Sequence, residues 1–239
     1  MEVAEGEIDV WRVALGPVGE VEFAVLSAEE RERAERTRSE AAREAFVACR
    51  AALRRILGVA SGQRPEAVRL IVSREGKPDF EERPGGLHFN VSHSGSTGLV
   101  ALRRGGPVGV DVEEVREVVD AAGVARRFFQ REEVAALEGW GYSSRAFLGV
   151  WTRKEAVAKA LGSGLAGVLG RFAVGCDPDD AAPAVVWKGE APGRLEVRTL
   201  ALAGCVGAVA AWGGPELRRV VVRDWPGGAV HLAGRDQEP

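Results

Sequence analysis

Residues 108–115 read VGVDVEEV. Val108, Val110 and Val112 alternate with Gly109, Asp111 and Glu113, and that period of two predicts a strand. Side chains two apart on a strand leave by the same face. Val110 and Val112 therefore turn to the core, while Asp111 and Glu113 project together on the other side. Two neighbouring carboxylates repel unless water or a cation lies between them. Taken alone, the segment fits a strand running out into solvent, helped by Glu114, as well as it fits half of a cation site.

A second segment shifts that balance. Residues 143–162, SSRAFLGVWTRKEAVAKALG, predict a helix with Ser143 or Ser144 at its start and Gly162 at its end. Trp151, Glu155 and Lys159 recur at i, i+4 and i+8 and form one stripe. An exposed Glu–Lys pair at this spacing is ordinarily a surface ion pair worth about 0.3–0.5 kcal/mol. Here the stripe also carries a tryptophan, so it faces protein. Glu155 added to Asp111 and Glu113 makes an all-oxygen donor set suited to Mg²⁺, or Mn²⁺, completed by phosphate oxygens of a substrate. Lys154 and Lys159 on the helix, Lys77 in a GKP loop, and Arg31 and Arg33 near the first helix supply charge for phosphates.

The rest of the chain reads as two similar α+β halves, 1–106 and 107–239, meeting near Gly105–Pro107. In the first half a strand at Ile8–Leu15 leads to a helix capped by Ser27 and Glu30. A second helix carries Phe46, Cys49, Leu53 and Ile56 at helical spacing, with Gly58 as its stop. VRLIVS follows as a strand and REGKPDFEERPGG as a loop. LHFNVSHS, GLVALRR and PVGVDVE then read as short strands, with RGGP turning the last two into a hairpin. The second half adds the helices VARRFF, REEVAALEG and 143–162. Four strand-like runs, AVVWKG, RLEVRTLALA, CVGAVAAW and LRRVVVRDW, complete it, followed by a frayed polar tail beyond Trp225.

With 239 residues, 46% of them hydrophobic, the chain can bury a sizeable core. A net charge of −3 gives no overall pull toward nucleic acid or an anionic membrane, so an anionic ligand must meet a local basic cluster. Three scattered cysteines, Cys49, Cys176 and Cys205, form neither a disulfide framework nor a CxxC zinc site. The acidic, weakly apolar N-terminus and the absence of a long apolar run lead to the expectation of a cytoplasmic protein with no signal peptide and no membrane span.

GKPDF, FNVSHSG, VGVDVE and FLGVWTRKEAVAKALGSGL, in that order and spacing, resemble the Sfp-type 4′-phosphopantetheinyl transferases. The resemblance runs from about Ser27 to Leu165. It implies a pair of α+β halves related by a pseudo-twofold axis in one chain, acting as a monomer, with coenzyme A in the cleft between them. The implied reaction moves the phosphopantetheine arm of coenzyme A onto a serine of an acyl or peptidyl carrier protein and releases adenosine 3′,5′-bisphosphate. It further implies Asp111, Glu113 and Glu155 as magnesium ligands, with Glu155 and Lys159 as catalytic groups. Coenzyme A contacts would come from Lys159, Lys154, His93 with Ser92 beside it, Lys77, Arg33 with Arg31, and Asp111 through the metal. Arg43 or Arg50 would approach the adenosine end. Glu30 departs from the pattern, standing where relatives carry a lysine, and Arg31 is the expected substitute. The competing readings are a non-catalytic coenzyme A or carrier-binding protein and another magnesium-dependent transferase acting on a nucleotide diphosphate. A GxxxxGK[ST] loop is missing, which weakens the latter.

Overall fold

The computed structural model describes residues 3–73 and 76–226. The chain opens with β1 (Glu7–Ala14), α1 (Glu20–Ala24), α2 (Ala28–Arg36) and the long α3 (Glu40–Ser61). A short hairpin of β2 (Leu70–Val72) and β3 (Pro78–Phe80) precedes β4 (Leu87–Ser94), β5 (Thr97–Arg104) and β6 (Val108–Glu114). Next come α4 (Ala121–Phe128), α5 (Arg131–Gly139), α6 (Ser144–Leu161), α7 (Leu165–Val168), β7 (Phe172–Val174) and β8 (Val185–Trp187). The last strands are β9 (Leu195–Leu202), β10 (Cys205–Trp212) and β11 (Arg219–Asp224). The class is α+β, as expected.

Two sheets organise these elements. One has the order β11-β1-β5-β4 and the other β6-β10-β9. The alternation of buried residues stacks them in four layers. On α3, Cys49, Leu53 and Ile56 pack with Phe89, Val100 and Leu102 on the outer face of the first sheet. Ile8, Val10, Leu99 and Ala101 turn inward and meet Val108, Val110, Val112, Val209 and Ala211 of the second sheet. The outer face of that sheet, with Val206, Ala208 and Ala210, carries α6 through Val150 and Val157. The three valines of β6 thus lie between the sheets, each at most 2% exposed, and burying each contributes about 1.5–3 kcal/mol. The opposite face of β6, with Gly109, Asp111 and Glu113, is left to α6.

Gly109 sets how closely that helix can approach. A Cβ there would overlap the carbonyl oxygen of Ala156 and the amide nitrogen of Ala160. Only a residue without a side chain lets β6 and α6 meet at this point, and the contact aligns Glu155 and Lys159 with the strand's carboxylates.

Several sequence expectations change at long range. The second helix runs through Gly58 and ends at Gly62, which adopts the left-handed conformation of a C-cap. RGGP makes no hairpin. It carries the chain from the first sheet to the second, and the hairpin of this region is β4–β5, closed at Gly95 with a positive φ. Within the expected REGKPDFEERPGG loop, Pro78–Phe80 pairs as a strand. The second sequence half does not stay in its own sheet, because β11 returns to pair parallel with β1. The polar tail beyond Trp225 falls at 227–239, outside the described residues. The Ser27–Glu30 capping box forms as expected, and Ser143 takes the N-cap position of α6 without a side-chain hydrogen bond. Among the described residues no helix is long and apolar enough to cross a membrane.

Candidate active site

A cleft of about 570 Å³ opens where α3, the β2–β3 hairpin, β4 and the C-terminal half of α6 meet, within the size range of small-molecule sites. Its walls carry Arg33, Arg50, Lys77, His93, Glu155 and Lys159. Five nitrogen-bearing side chains from five separate parts of the chain thus converge on one concavity, an arrangement that focuses positive potential on an anionic ligand.

At one end, the guanidinium groups of Arg33 and Arg50 lie 4.9 and 5.5 Å from the ring of Phe46. Arg50 is 7% exposed and its Nη1 has no hydrogen-bond partner. Behind it, Glu30 stands 3.5 Å from Arg50 and 2.5 Å from Arg54. The acid at position 30 therefore turns inward and braces the arginines of α3. Lys77 Nζ donates to the carbonyl of Lys159 at 2.8 Å, tying the hairpin to the end of α6. Burial pushes Lys77 and His93 below their usual values, and for His93 the Lys159 charge adds to the effect. An incoming phosphate would reverse both trends.

At the other end, Lys159 Nζ donates to Asp111 Oδ1 (2.7 Å), to Ser92 Oγ (3.1 Å) and to the Val110 carbonyl (3.1 Å). Ser92 Oγ also reaches Asp111 Oδ1 at 2.7 Å. Glu113 accepts from Ser94 Oγ at 2.9 Å and lies 3.6 Å from Arg116. Burial, then the charge of Asp111, pushes the Glu155 carboxyl up to about 7, with Glu113 adding to the rise and Lys159 opposing it. The three carboxylates thus share one electrostatic neighbourhood.

The expected three-carboxylate ligand set is not assembled as the side chains stand. Among the described residues no group of three His, Cys, Asp or Glu is arranged to hold a metal ion. The reason is visible at Asp111, where the Lys159 ammonium occupies the position of a counter-ion. The donors nonetheless suit a hard divalent cation. Asp111 Oδ2 is buried with no partner, and the Glu155 carboxyl is pushed up to about 7 by burial and by the charge of Asp111, a rise that a cation would oppose.

Two expected site residues lie elsewhere. Lys154 is fully buried and donates to both oxygens of Glu133 and to the Phe172 carbonyl, so it is not a phosphate contact. Helical geometry explains this, since five residues along α6 from Lys159 is a rotation of roughly 140°. Arg31 donates to the carbonyls of Phe23 and Ala24 on the α1 side of α2, outside the cleft, and does not replace a cation lost at Glu30. Arg43 pairs loosely with Glu40 at 3.6 Å, so of the two α3 arginines it is Arg50 that lines the cleft. Sequence reasoning missed Gly109, Asn90 and Ser94. The polar alternation of Asn90, Ser92 and Ser94 along β4 was the available signal.

A family profile described as the 4′-phosphopantetheinyl transferase superfamily matches residues 107–210, spanning β6, α6 and β10. The 4′-phosphopantetheinyl transferase HetI of Nostoc sp. is 35% identical over 167 residues, 67% of this chain and 70% of that protein. The chain belongs to this superfamily. A 4′-phosphopantetheinyl transferase of Bacillus subtilis is 30% identical over 155 residues, 64% of this chain and 67% of its own length. The Synechocystis protein slr0495 is 36% identical over 149 residues, and the match spans 61% of either chain, less than two thirds. This membership makes the chain one of a family of transferases. Lys159, on the cleft wall and bonded to Asp111, joins the cationic cleft and the carboxylates of β6 and α6 into one candidate site.

Proposed function

We propose that the chain transfers the 4′-phosphopantetheine arm of coenzyme A to a serine hydroxyl of an acyl or peptidyl carrier protein, releasing adenosine 3′,5′-bisphosphate. The observation that carries this reading is the convergence of Arg33, Arg50, Lys77, His93 and Lys159 with the acids Asp111 and Glu155 at one cleft. A polyanion with a terminal phosphate and a diphosphate fits cations placed at both ends. Arg33 and Arg50 would receive the nucleotide end. Lys77 and His93 would hold phosphates between, and Lys159 would stabilise charge on the departing phosphate and supply its proton.

Asp111, Glu113 and Glu155 would hold Mg²⁺ or Mn²⁺, which when bound would polarise the diphosphate. Glu155, half-buried on the cleft wall, would take the proton of the incoming serine through a water. The nucleophile belongs to the carrier, so transfer depends on positioning and electrostatics more than on covalent chemistry by this chain. The two helix-on-sheet layers are the pieces a pseudo-twofold axis would relate, and one chain contains the whole cleft, consistent with a monomer.

An acidic carrier helix would dock beside α4. Val119 is 86% exposed and Phe128 37%, next to Arg126 and Arg127, while Phe129 turns inward and stacks on Phe147. The deciding experiment incubates the purified chain with coenzyme A, Mg²⁺ and a panel of apo carrier domains. The expected result is a carrier mass gain of one phosphopantetheine. No gain on any carrier would discard the reading.

A further inference from the structure

β4 and β6 belong to different sheets, and no backbone ladder joins them. Side chains do so instead. Asn90 Oδ1 accepts from the Val110 amide at 3.0 Å, and Ser92 Oγ donates to Asp111 at 2.7 Å. Ser94 Oγ accepts from the Glu114 amide at 3.1 Å and donates to Glu113 Oε2 at 2.9 Å. Three alternate residues of one strand thus clasp the edge of the other, and two of them end on carboxylates.

The Ser94 contact is directional. A hydroxyl has one proton and two lone pairs. The Glu114 amide, fixed by the backbone of β6, engages a lone pair, which leaves the proton free to aim at Glu113. The competing partner of Glu113 is Arg116, 3.6 Å away and mostly exposed. Both contacts fall on the same Glu113 oxygen, Oε2, and of the two only Ser94 is anchored to β4, where Ser92 holds Asp111. A long carboxylate side chain held by only a solvent-screened arginine samples many rotamers. One held by a hydroxyl seated on backbone does not.

We infer that Ser94 is a positioning residue that sets the Glu113 carboxylate for a divalent cation. The inference rests on the divalent-ion reading above and adds to it a residue that touches neither coenzyme A nor the reacting atoms. Hydrogen bonds to metal-ligating carboxylates govern how well the ligands are preorganised, and their loss typically lowers metal affinity about 10–100-fold.

The test is Mn²⁺ titration of the full chain without coenzyme A, followed by electron paramagnetic resonance, for wild type, S94A, S94T and S94V. Thermal unfolding of each is recorded in EDTA. The threonine and valine variants have nearly the same shape and differ in the hydroxyl, so they keep the comparison valid should S94A fold poorly. The expected result is that S94A and S94V bind Mn²⁺ about 10–100-fold more weakly, while S94T retains most of the affinity. Variants that unfold at lower temperature in EDTA yet bind Mn²⁺ like wild type would overturn the inference and leave Ser94 a purely structural clasp. Wild type that takes up no Mn²⁺ would overturn the divalent-ion reading itself, and this inference with it.

Discussion

Helix α6 carries two lysines that each pair with a carboxylate, and the two faces of the helix treat them differently. At Lys154 every partner is satisfied. Its ammonium has three acceptors at 2.8–2.9 Å, and Glu133 also accepts from the amides of Gln130 and Val174. Both side chains are 1% exposed. At Lys159 the ammonium is likewise satisfied, but its partner is not, since Asp111 Oδ2 has nothing to bond. The Lys159 side chain is 27% exposed, on the wall of the cleft. A closed network fixes structure because any exchange of partners costs a desolvated charge. An open network can exchange partners, which a site must do to take a ligand.

The largest effect should come from breaking the closed network. Lys154→Met leaves Glu133 buried without its cation and should destabilise the chain by about 3–5 kcal/mol in denaturant unfolding. The double variant K154M/E133Q should recover part of that loss. If K154M unfolded like wild type, the contrast between the two networks would fail.

Breaking the open network should act on turnover. Lys159→Ala removes a cation from the cleft and should lower turnover about 10²–10³-fold in a carrier-modification assay. Its unfolding midpoint should shift far less than that of K154M, because Lys159 borders solvent. A large stability loss at equal turnover would invert the assignment.

The smallest effect is a pH dependence that sharpens the view of the open network. Glu155 is raised in the folded chain from the ordinary carboxylate range to about 7. Between those two values the folded state holds a proton that the unfolded state has released. Stability from this group is therefore fully present at low pH and is lost as pH rises through about 7. Without metal, wild type should lose stability over that window and Glu155→Gln should lose less, measured as unfolding midpoint against pH. Added Mg²⁺ should flatten the wild-type curve. Identical slopes for wild type and E155Q would remove Glu155 from the shared field of Asp111 and Glu113.

Local chemistry made much of this legible in the sequence. Ser27 and Glu30 marked a helix start and Gly162 a helix end, because caps act within a turn. Alternation in VGVDVEEV placed the valines and the acids on opposite faces, since strand side chains can do nothing else. The stripe of Trp151, Glu155 and Lys159 followed from helical spacing. Tertiary structure decided the rest, through contacts between residues far apart in the chain. Only packing turned Glu30 inward onto Arg50 and Arg54, aligned Arg33 and Arg50 over Phe46, and brought β11 back to β1. Only the approach permitted by Gly109 carried Glu155 and Lys159 to Asp111. The physical reason is that a side chain's face is set by its own backbone, whereas its partner is set by which distant surfaces bury each other.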